Sequence, residues 1–321
     1  MEAGLLMRSG EFVTTEIEIP SVTEPGFVLI RNLVSTVCGS DVHAVYDLGL
    51  SEPQRPGYPG HESVSVVTES SDPAFAVGDL VLAVPNMIYA AGFAEYQLLP
   101  SSLVILLPPG TEPAVAIIAQ QLGTVIFGMK RFWSGPGTGA AVILGSGPVG
   151  LYFTWLCARA GFDTIIVSDP HPERLEIATR MGATVTVIAE GDAVIDVVNE
   201  ITDGGAALVI DAAGKDVTRV QAIHCVQIEG RIGMFGMPEG AEMTIPFEVL
   251  FRRKPQVDFC WDAQAEPGHA SFREALEAIR TGAFDTGLIT TKLWPLAELT
   301  SAIEAARSAT PGHVKFGVTF G

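Results

Sequence analysis

The sequence predicts an α/β protein, with a doubly wound, mostly parallel sheet as a central insert within a second, β-rich domain. Three observations carry this expectation. Between residues 140 and 263, short apolar runs alternate with helix-like stretches, the succession that builds a parallel sheet. On either side, the chain reads as short β-rich runs and mixed segments separated by Pro and Gly turn signals. At the head of the alternating part, Ala140 to Asp169 places a glycine-rich turn between two apolar runs. The boundaries that follow are 1–120, 121–263 and 264–321, with the first and third segments forming one domain together.

The central turn comes first because the other elements are arranged around it. Ala141 to Leu144 enters Gly145-Ser-Gly147-Pro148-Val149-Gly150, a helix-like segment runs from Pro148 to Ala158 and stops at Gly161, and Thr164 to Val167 leads to Asp169. Strand, GxGxxG turn, helix, strand and acid in this order are what a dinucleotide-binding βαβ unit of the Rossmann type requires. Gly145 permits the tight turn, Gly147 lets backbone approach a pyrophosphate, and Gly150 lets the helix pack closely on its strand. Pro148 suits the first helical turn, where its missing N–H has no partner to lose. The pyrophosphate is expected on the helix N-terminus, whose N–H groups and dipole attract an anion. Asp169 is expected to accept hydrogen bonds from the adenine ribose and to repel a 2′-phosphate, which favours NAD over NADP. Arg174 lies five residues beyond Asp169 and reads equally as a cover for the adenine or as a solvated helix residue.

Composition sets the bounds. The chain has 321 residues, 48% of them hydrophobic and 17% charged, enough to bury large cores in about two domains. Its 19 basic and 37 acidic residues give a net charge of −18, which opposes a polyanionic partner and reads as solubility. Cys38, Cys157, Cys225 and Cys260 form no CxxC pair, so neither a disulfide framework nor an all-cysteine zinc site is expected. The uncharged run from Phe132 to Ala158 is broken by Gly and Pro and reads as a buried βα unit rather than a membrane span. With no signal peptide apparent, a cytoplasmic location is expected.

Taken in order, strands are expected at Phe12 to Ile19, Phe27 to Val37, Ser63 to Thr68, Leu80 to Val84 and Phe93 to Leu99. A helix over Glu112 to Phe132 leads into the nucleotide unit. There the helices fall at Pro172 to Met181, Ala193 to Ile201 and Val217 to Gln227. The strands fall at Val185 to Ile188, Ala207 to Asp211, Arg231 to Phe235 and Val257 to Trp261. A helix at Ser271 to Arg280 and a mixed tail ending in Val314 to Phe320 complete the chain. A dinucleotide between the two domains is the expected arrangement.

A second constellation lies in the β-rich part. Cys38, His61 and Glu62 offer a thiolate, an imidazole and a carboxylate from two loops, three sides of a tetrahedral zinc site. The residue types alone leave this open. His61-Glu62 is not an HExxH helix, because Ser65 holds the last position, and a lone cysteine is commonly a small buried hydrophobe. Asp41 reads as a turn cap at least as readily as a chemical group. Cys157, Cys225 and Cys260 read as core, and His171, His224, His269 and His313 as surface or capping residues.

Cys38-Gly-Ser-Asp-x-His43, Pro59-Gly-His-Glu62, Val77-Gly-Asp-x-Val81, Gly92-Phe-Ala-Glu-Tyr96 and the Gly145-Ser-Gly-Pro-Val-Gly150 turn occur in one order. This series resembles the medium-chain dehydrogenase/reductase family, in its zinc-dependent alcohol and polyol dehydrogenase branch, and the likeness spans essentially the whole chain. It implies a GroES-like catalytic domain, a Rossmann domain, NAD and one catalytic zinc. It implies Cys38 and His61 as zinc ligands, Glu62 as ligand or exchange partner, and Ser40 and His43 as a proton relay. The implied reaction moves a hydride from a zinc-bound alkoxide of a secondary alcohol, polyol or sugar-like substrate to the nicotinamide, or reduces the matching ketone. Two departures stand out. Only Leu82 to Ala91 intervenes where many relatives carry a four-cysteine lobe, so no structural zinc is expected. The family's third protein ligand falls on Gln120, with Gln121 beside it, and an amide is a weaker donor than a carboxylate. Gln120 and the missing lobe suit a zinc-free quinone- or enoyl-type reductase of the same superfamily, whereas Cys38, His61 and Glu62 oppose it. A non-catalytic NAD(H)-binding protein is opposed by Ser40 and His43. The family also implies a homodimer, paired through the edge strand Val257 to Trp261.

Overall fold

The structure is a computed structural model that describes residues 1–8, 10–48 and 54–321. Residues 49–53, part of the Pro/Gly-rich loop between His43 and Pro59, lie outside the described residues. In chain order the strands and helices are β1 (Glu2–Arg8), β2 (Glu11–Glu16), β3 (Phe27–Thr36), α1 (Gly39–Tyr46), β4 (Ser63–Ser70), β5 (Leu80–Ala83), β6 (Tyr96–Pro100), β7 (Val104–Leu106), α2 (Pro113–Ala116) and α3 (Ile118–Phe132). There follow β8 (Ala140–Leu144), α4 (Pro148–Ala160), β9 (Thr164–Asp169), α5 (Pro172–Arg180), β10 (Val185–Ile188), α6 (Ala193–Ile201), β11 (Ala206–Asp211), α7 (Asp216–Cys225), β12 (Val226–Met234), α8 (Phe247–Arg253) and β13 (Gln256–Phe259). The last elements are α9 (Ala270–Arg280), β14 (Thr291–Pro295), α10 (Leu299–Arg307) and β15 (Lys315–Thr319). The chain forms two compact units, Met1–Gly123 with Gln264–Gly321, and Thr124–Ala263.

The first unit is built on a seven-stranded sheet in the order β14-β15-β3-β4-β5-β7, with β6 also paired to β3. Val28, Ile30, Val67, Val81 and Leu99 fill one core on it. Leu299, Ala302 and Ile303 of α10 close a second core with Leu6 and Phe93. The Leu299/Ala302/Ile303 spacing puts all three on one helical face. β3 and β4 run antiparallel with Ser35 opposite Ser63, and β15 lies on the other side of β3 with Gly317 opposite Thr36. That register gathers the residues after β3, before β4 and at the start of β15 at one end of the sheet.

The second unit holds a six-stranded parallel sheet in the order β10-β9-β8-β11-β12-β13. Val142, Ile166, Val209 and Ile232 form its core. The strand order reverses between β8 and β11, and the carboxyl ends of strands at such a switch point form the crevice where open α/β sheets bind ligands.

Several expectations need correction. The single helix over Glu112 to Phe132 is two helices separated at Ile117. The helix expected to reach Gln227 ends at Cys225, and β12 begins at once with Val226. β1, α1, β7, α8, β14 and α10 form where no element was assigned. His269, expected as a surface or capping residue, takes the N-cap position of α9 but is buried, its Nε2 3.2 Å from the Gln264 carbonyl and its ring edge-on to Phe272. Cys260, expected in the core, is only partly buried.

Candidate metal centre and nucleotide turn

The register of β3, β4 and β15 assembles the first site. Cys38 caps the N-terminus of α1, two residues past the end of β3, and His61-Glu62 immediately precede β4. Their ligand atoms lie within 4.8 Å of one another, and they are the one such group of three or more His, Cys, Asp or Glu among the described residues. His61 is held from behind, its Nδ1 2.8 Å from the Oδ1 of fully buried Asp41. The Pro59 carbonyl stands 3.3 Å from the same Nδ1, and the two contacts fix the ring and leave Nε2 for the cluster, where Ser40 Oγ stands 3.5 Å away. Burial pushes the imidazole pKa down. The Asp41 carboxylate and the Cys38 sulfur push it up by more, so it stands well above its ordinary value. The surroundings of His61 therefore favour positive charge.

Glu62 is almost wholly buried and forms an ion pair with Lys315, Nζ to Oε2 at 2.7 Å. Thr36 Oγ1 also donates to Oε2, whereas Oε1 is buried with no hydrogen-bond partner. Such an orphaned acceptor is costly unless something electropositive meets it. A thiol, an imidazole nitrogen and a spare carboxylate oxygen at this spacing fit a zinc ion.

Of the other expected residues, His43 lies further along α1 with Nδ1 3.0 Å from Asp47 Oδ2. Gln120 turns its amide to the chain, Nε2 donating to the His61 carbonyl at 3.2 Å. Gln121 Nε2 instead reaches Cys38 Sγ at 3.5 Å. Sequence reasoning gave Thr36, Asp47 and Lys315 no role at the site and read Asp41 as a turn cap at least as readily as a chemical group. Asp41 does act as the expected cap, its Oδ2 accepting from Cys38 N at 2.8 Å. That capping signature concealed what its second oxygen does.

The second site is made of backbone. Gly147 is the N-cap of α4, Pro148 its first residue, and Gly161 ends it in the left-handed region at φ 89°. A Cβ on Gly150 would lie 1.8 Å from the Gly145 carbonyl oxygen, which explains the glycine there. A Cβ on Gly147 would find only Arg174 Nη1, at 4.0 Å, so the space before α4 is open and has a guanidinium near it. Val149 and Gly150 continue the first turn of α4, and Ser146 is fully buried. Asp169 is buried at the end of β9, accepting from Ser146 N at 2.6 Å and from His171 N at 2.9 Å. Each carboxylate oxygen keeps further acceptor capacity for a ribose hydroxyl. An open cradle before a helix of 13 residues, with an acid at the end of the next strand, fits a dinucleotide.

Residues 24–109 match the family model described as alcohol dehydrogenase GroES-like domain, and residues 148–281 that described as zinc-binding dehydrogenase. The chain belongs to the zinc-type medium-chain dehydrogenase family. The dehydrogenase is 27% identical to the L-threonine 3-dehydrogenase of Bacillus subtilis (strain 168), over 97% of this chain and 96% of that protein. It is 26% identical to the sorbitol dehydrogenase of the same organism, over 95% and 93%. Among solved structures, alcohol dehydrogenase TADH from Thermus sp. ATN1 is similar over the full length of both chains, with a TM-score of 0.83 and 25% identity. The sheet of the first unit is thus GroES-like and that of the second Rossmann-type, as the sequence predicted. The dehydrogenase is an oxidoreductase acting on CH–OH groups, of a family that uses NAD and zinc.

Proposed function

We propose that this dehydrogenase transfers a hydride between a secondary alcohol, polyol or sugar-like substrate, or its ketone, and NAD, using one catalytic zinc and no structural zinc. The observation that carries the reading is the Cys38/His61/Glu62 donor group with Ser40 beside it. When bound, zinc supplies Lewis acidity that makes a substrate hydroxyl more acidic, and NAD takes the hydride. The protein's own residues handle the proton and the positioning. Ser40 Oγ is placed to hydrogen-bond the reacting hydroxyl. His43, its Nδ1 held by Asp47, keeps Nε2 to take that proton onward. Asp41 and the Pro59 carbonyl, both at Nδ1, hold His61 in one tautomer. Asp169 favours a cofactor with a free 2′-hydroxyl, and the similarity to threonine and sorbitol dehydrogenases supports a polar, secondary-alcohol substrate.

The protein functions as a homodimer in this reading. β13 is an edge strand of its sheet that stops at Phe259, short of the expected Trp261, and Phe259 at its end and Trp261 just beyond it are each 65% exposed. They line an apolar hollow of about 530 Å³ with Met234, Met243 and Leu250. Pairing β13 with its own copy about a two-fold axis would satisfy the strand edge and cover this surface. A cytoplasmic location suits four free cysteines, one of them a donor.

Metal analysis of protein purified without chelator tests the activity. About one zinc per chain, lost in Cys38→Ala, with NAD-dependent turnover of secondary alcohols or polyols, is expected; zinc-free active protein would overturn the reading. Sedimentation velocity tests the assembly: the native chain should run as a dimer and Phe259→Glu as a monomer. A native monomer would exclude the dimer.

A further inference from the structure

The donor group has a neighbour whose chemistry is unspent. Gln121, on the first turn of α3, is 4% exposed, and its Oε1 is buried with no hydrogen-bond partner. The other atom of the same amide, Nε2, lies 3.5 Å from Cys38 Sγ. We infer that Gln121, rather than Gln120, is the amide donor that completes the Cys38/His61/Glu62 metal site. The inference rests on the zinc-dependent reading above and goes beyond it by assigning the fourth protein ligand.

Two geometric facts separate the neighbouring glutamines. Consecutive residues on a helix point about 100° apart, so the two amides leave α3 in different directions. Gln120 donates its Nε2 to the backbone carbonyl of His61, bracing the loop that carries that ligand. Gln121 donates its Nε2 to the Cys38 sulfur.

The spacing agrees. Zinc bonds of about 2.3 Å to sulfur and about 2.1 Å to oxygen, at the tetrahedral angle, set those two atoms about 3.6 Å apart. The Gln121 amide stands at 3.5 Å from the Cys38 sulfur. A half-turn about its Cγ–Cδ bond exchanges the amide nitrogen for the oxygen at that place. Facing a cation, the oxygen is favoured and the N–H is repelled. Lys315 already offsets one of the two anionic donors, so a neutral amide leaves the bound dication with positive charge in excess, and a carboxylate at the same place would neutralise it. A neutral oxygen is also the most weakly held of the four donors, and therefore the one a substrate oxygen would displace.

Cobalt(II) bound to the full-length protein in place of zinc reports on this directly, through its thiolate charge-transfer band and its visible d–d bands. Gln121→Ala should shift and weaken the d–d bands and loosen the metal at least about tenfold in chelator competition, while the charge-transfer band persists. Gln120→Ala should leave the d–d bands in place, and Gln121→Glu should hold the metal at least as tightly as the native chain. Thermal melts of the three variants confirm that each is folded. An unchanged spectrum and affinity in Gln121→Ala would overturn this assignment and leave the zinc-dependent reading intact. A native protein with no cobalt–thiolate band would overturn both.

Discussion

The two sites of this chain are made of different material. The nucleotide turn is backbone: within six residues, three glycines create a space, and its surroundings admit no Cβ at one position and leave another open. The metal centre is side chains: residues 38, 41, 61, 62, 121 and 315, gathered by the register of three strands and the first turn of a helix. The difference teaches where each site is vulnerable. A backbone site fails by steric exclusion, at single positions and regardless of charge. A side-chain site fails by leaving a partner buried without its counterpart, and the loss travels to residues that touch no ligand.

The largest effect expected is on the backbone side. Gly150→Ala forces a Cβ to 1.8 Å from the Gly145 carbonyl, so the second unit should lose more than about 4 kcal/mol of stability and fail to bind NADH. Gly147→Ala is the control that sharpens the point: its Cβ meets open space, so the melt should move by less than about 0.5 kcal/mol while NADH affinity falls at least tenfold. Calorimetry and fluorescence titration separate the two, and equal behaviour of the variants would break the distinction. On the side-chain side, Lys315→Met strands the buried Glu62 carboxylate and should cost about 3–5 kcal/mol in denaturant unfolding. Adding Glu62→Gln should recover part of that loss, and a strictly additive double variant would contradict the coupling. The smallest change is Asp41→Asn. Asparagine can still cap α1, so the fold should stand, but His61 loses its charged partner and zinc affinity should fall about 10–100-fold in chelator competition. Unaltered zinc affinity would show that Asp41 only caps.

The same contrast explains what the sequence made legible. The turn at Gly145–Gly150 and the acid at Asp169 lie in one βαβ stretch, and backbone requirements translate into fixed spacings of glycine. Cys38, His61 and Glu62 were visible as ligand types, but their proximity depends on Ser35 meeting Ser63, a pairing that no local pattern specifies. Lys315 was out of reach for the same reason, since it arrives on β15 from the far end of the chain. The choice between Gln120 and Gln121 turns on the rotation of a helix about its axis, which spacing leaves undetermined to within a residue. α10 escaped notice although Leu299, Ala302 and Ile303 carry a helical pattern, because nine residues offer little periodicity to read. α8 presents Phe247 and Phe251 outward, 67% and 71% exposed, so its apolar face does not mark a core.

The distribution of thiols has a practical consequence. Burial pushes the thiol pKa values of Cys157, Cys225 and Cys260 up to about 12, which keeps them protonated and slow toward alkylating reagents. Cys38 differs from them in its place, at the head of α1 inside the donor group. A bound ion would cover that sulfur, so carboxymethylation of Cys38 in the folded chain should slow when the site is filled. The rate at which iodoacetate labels the protein becomes a gauge of how many molecules in a preparation are loaded, read from the mass of the intact chain before any substrate has been found.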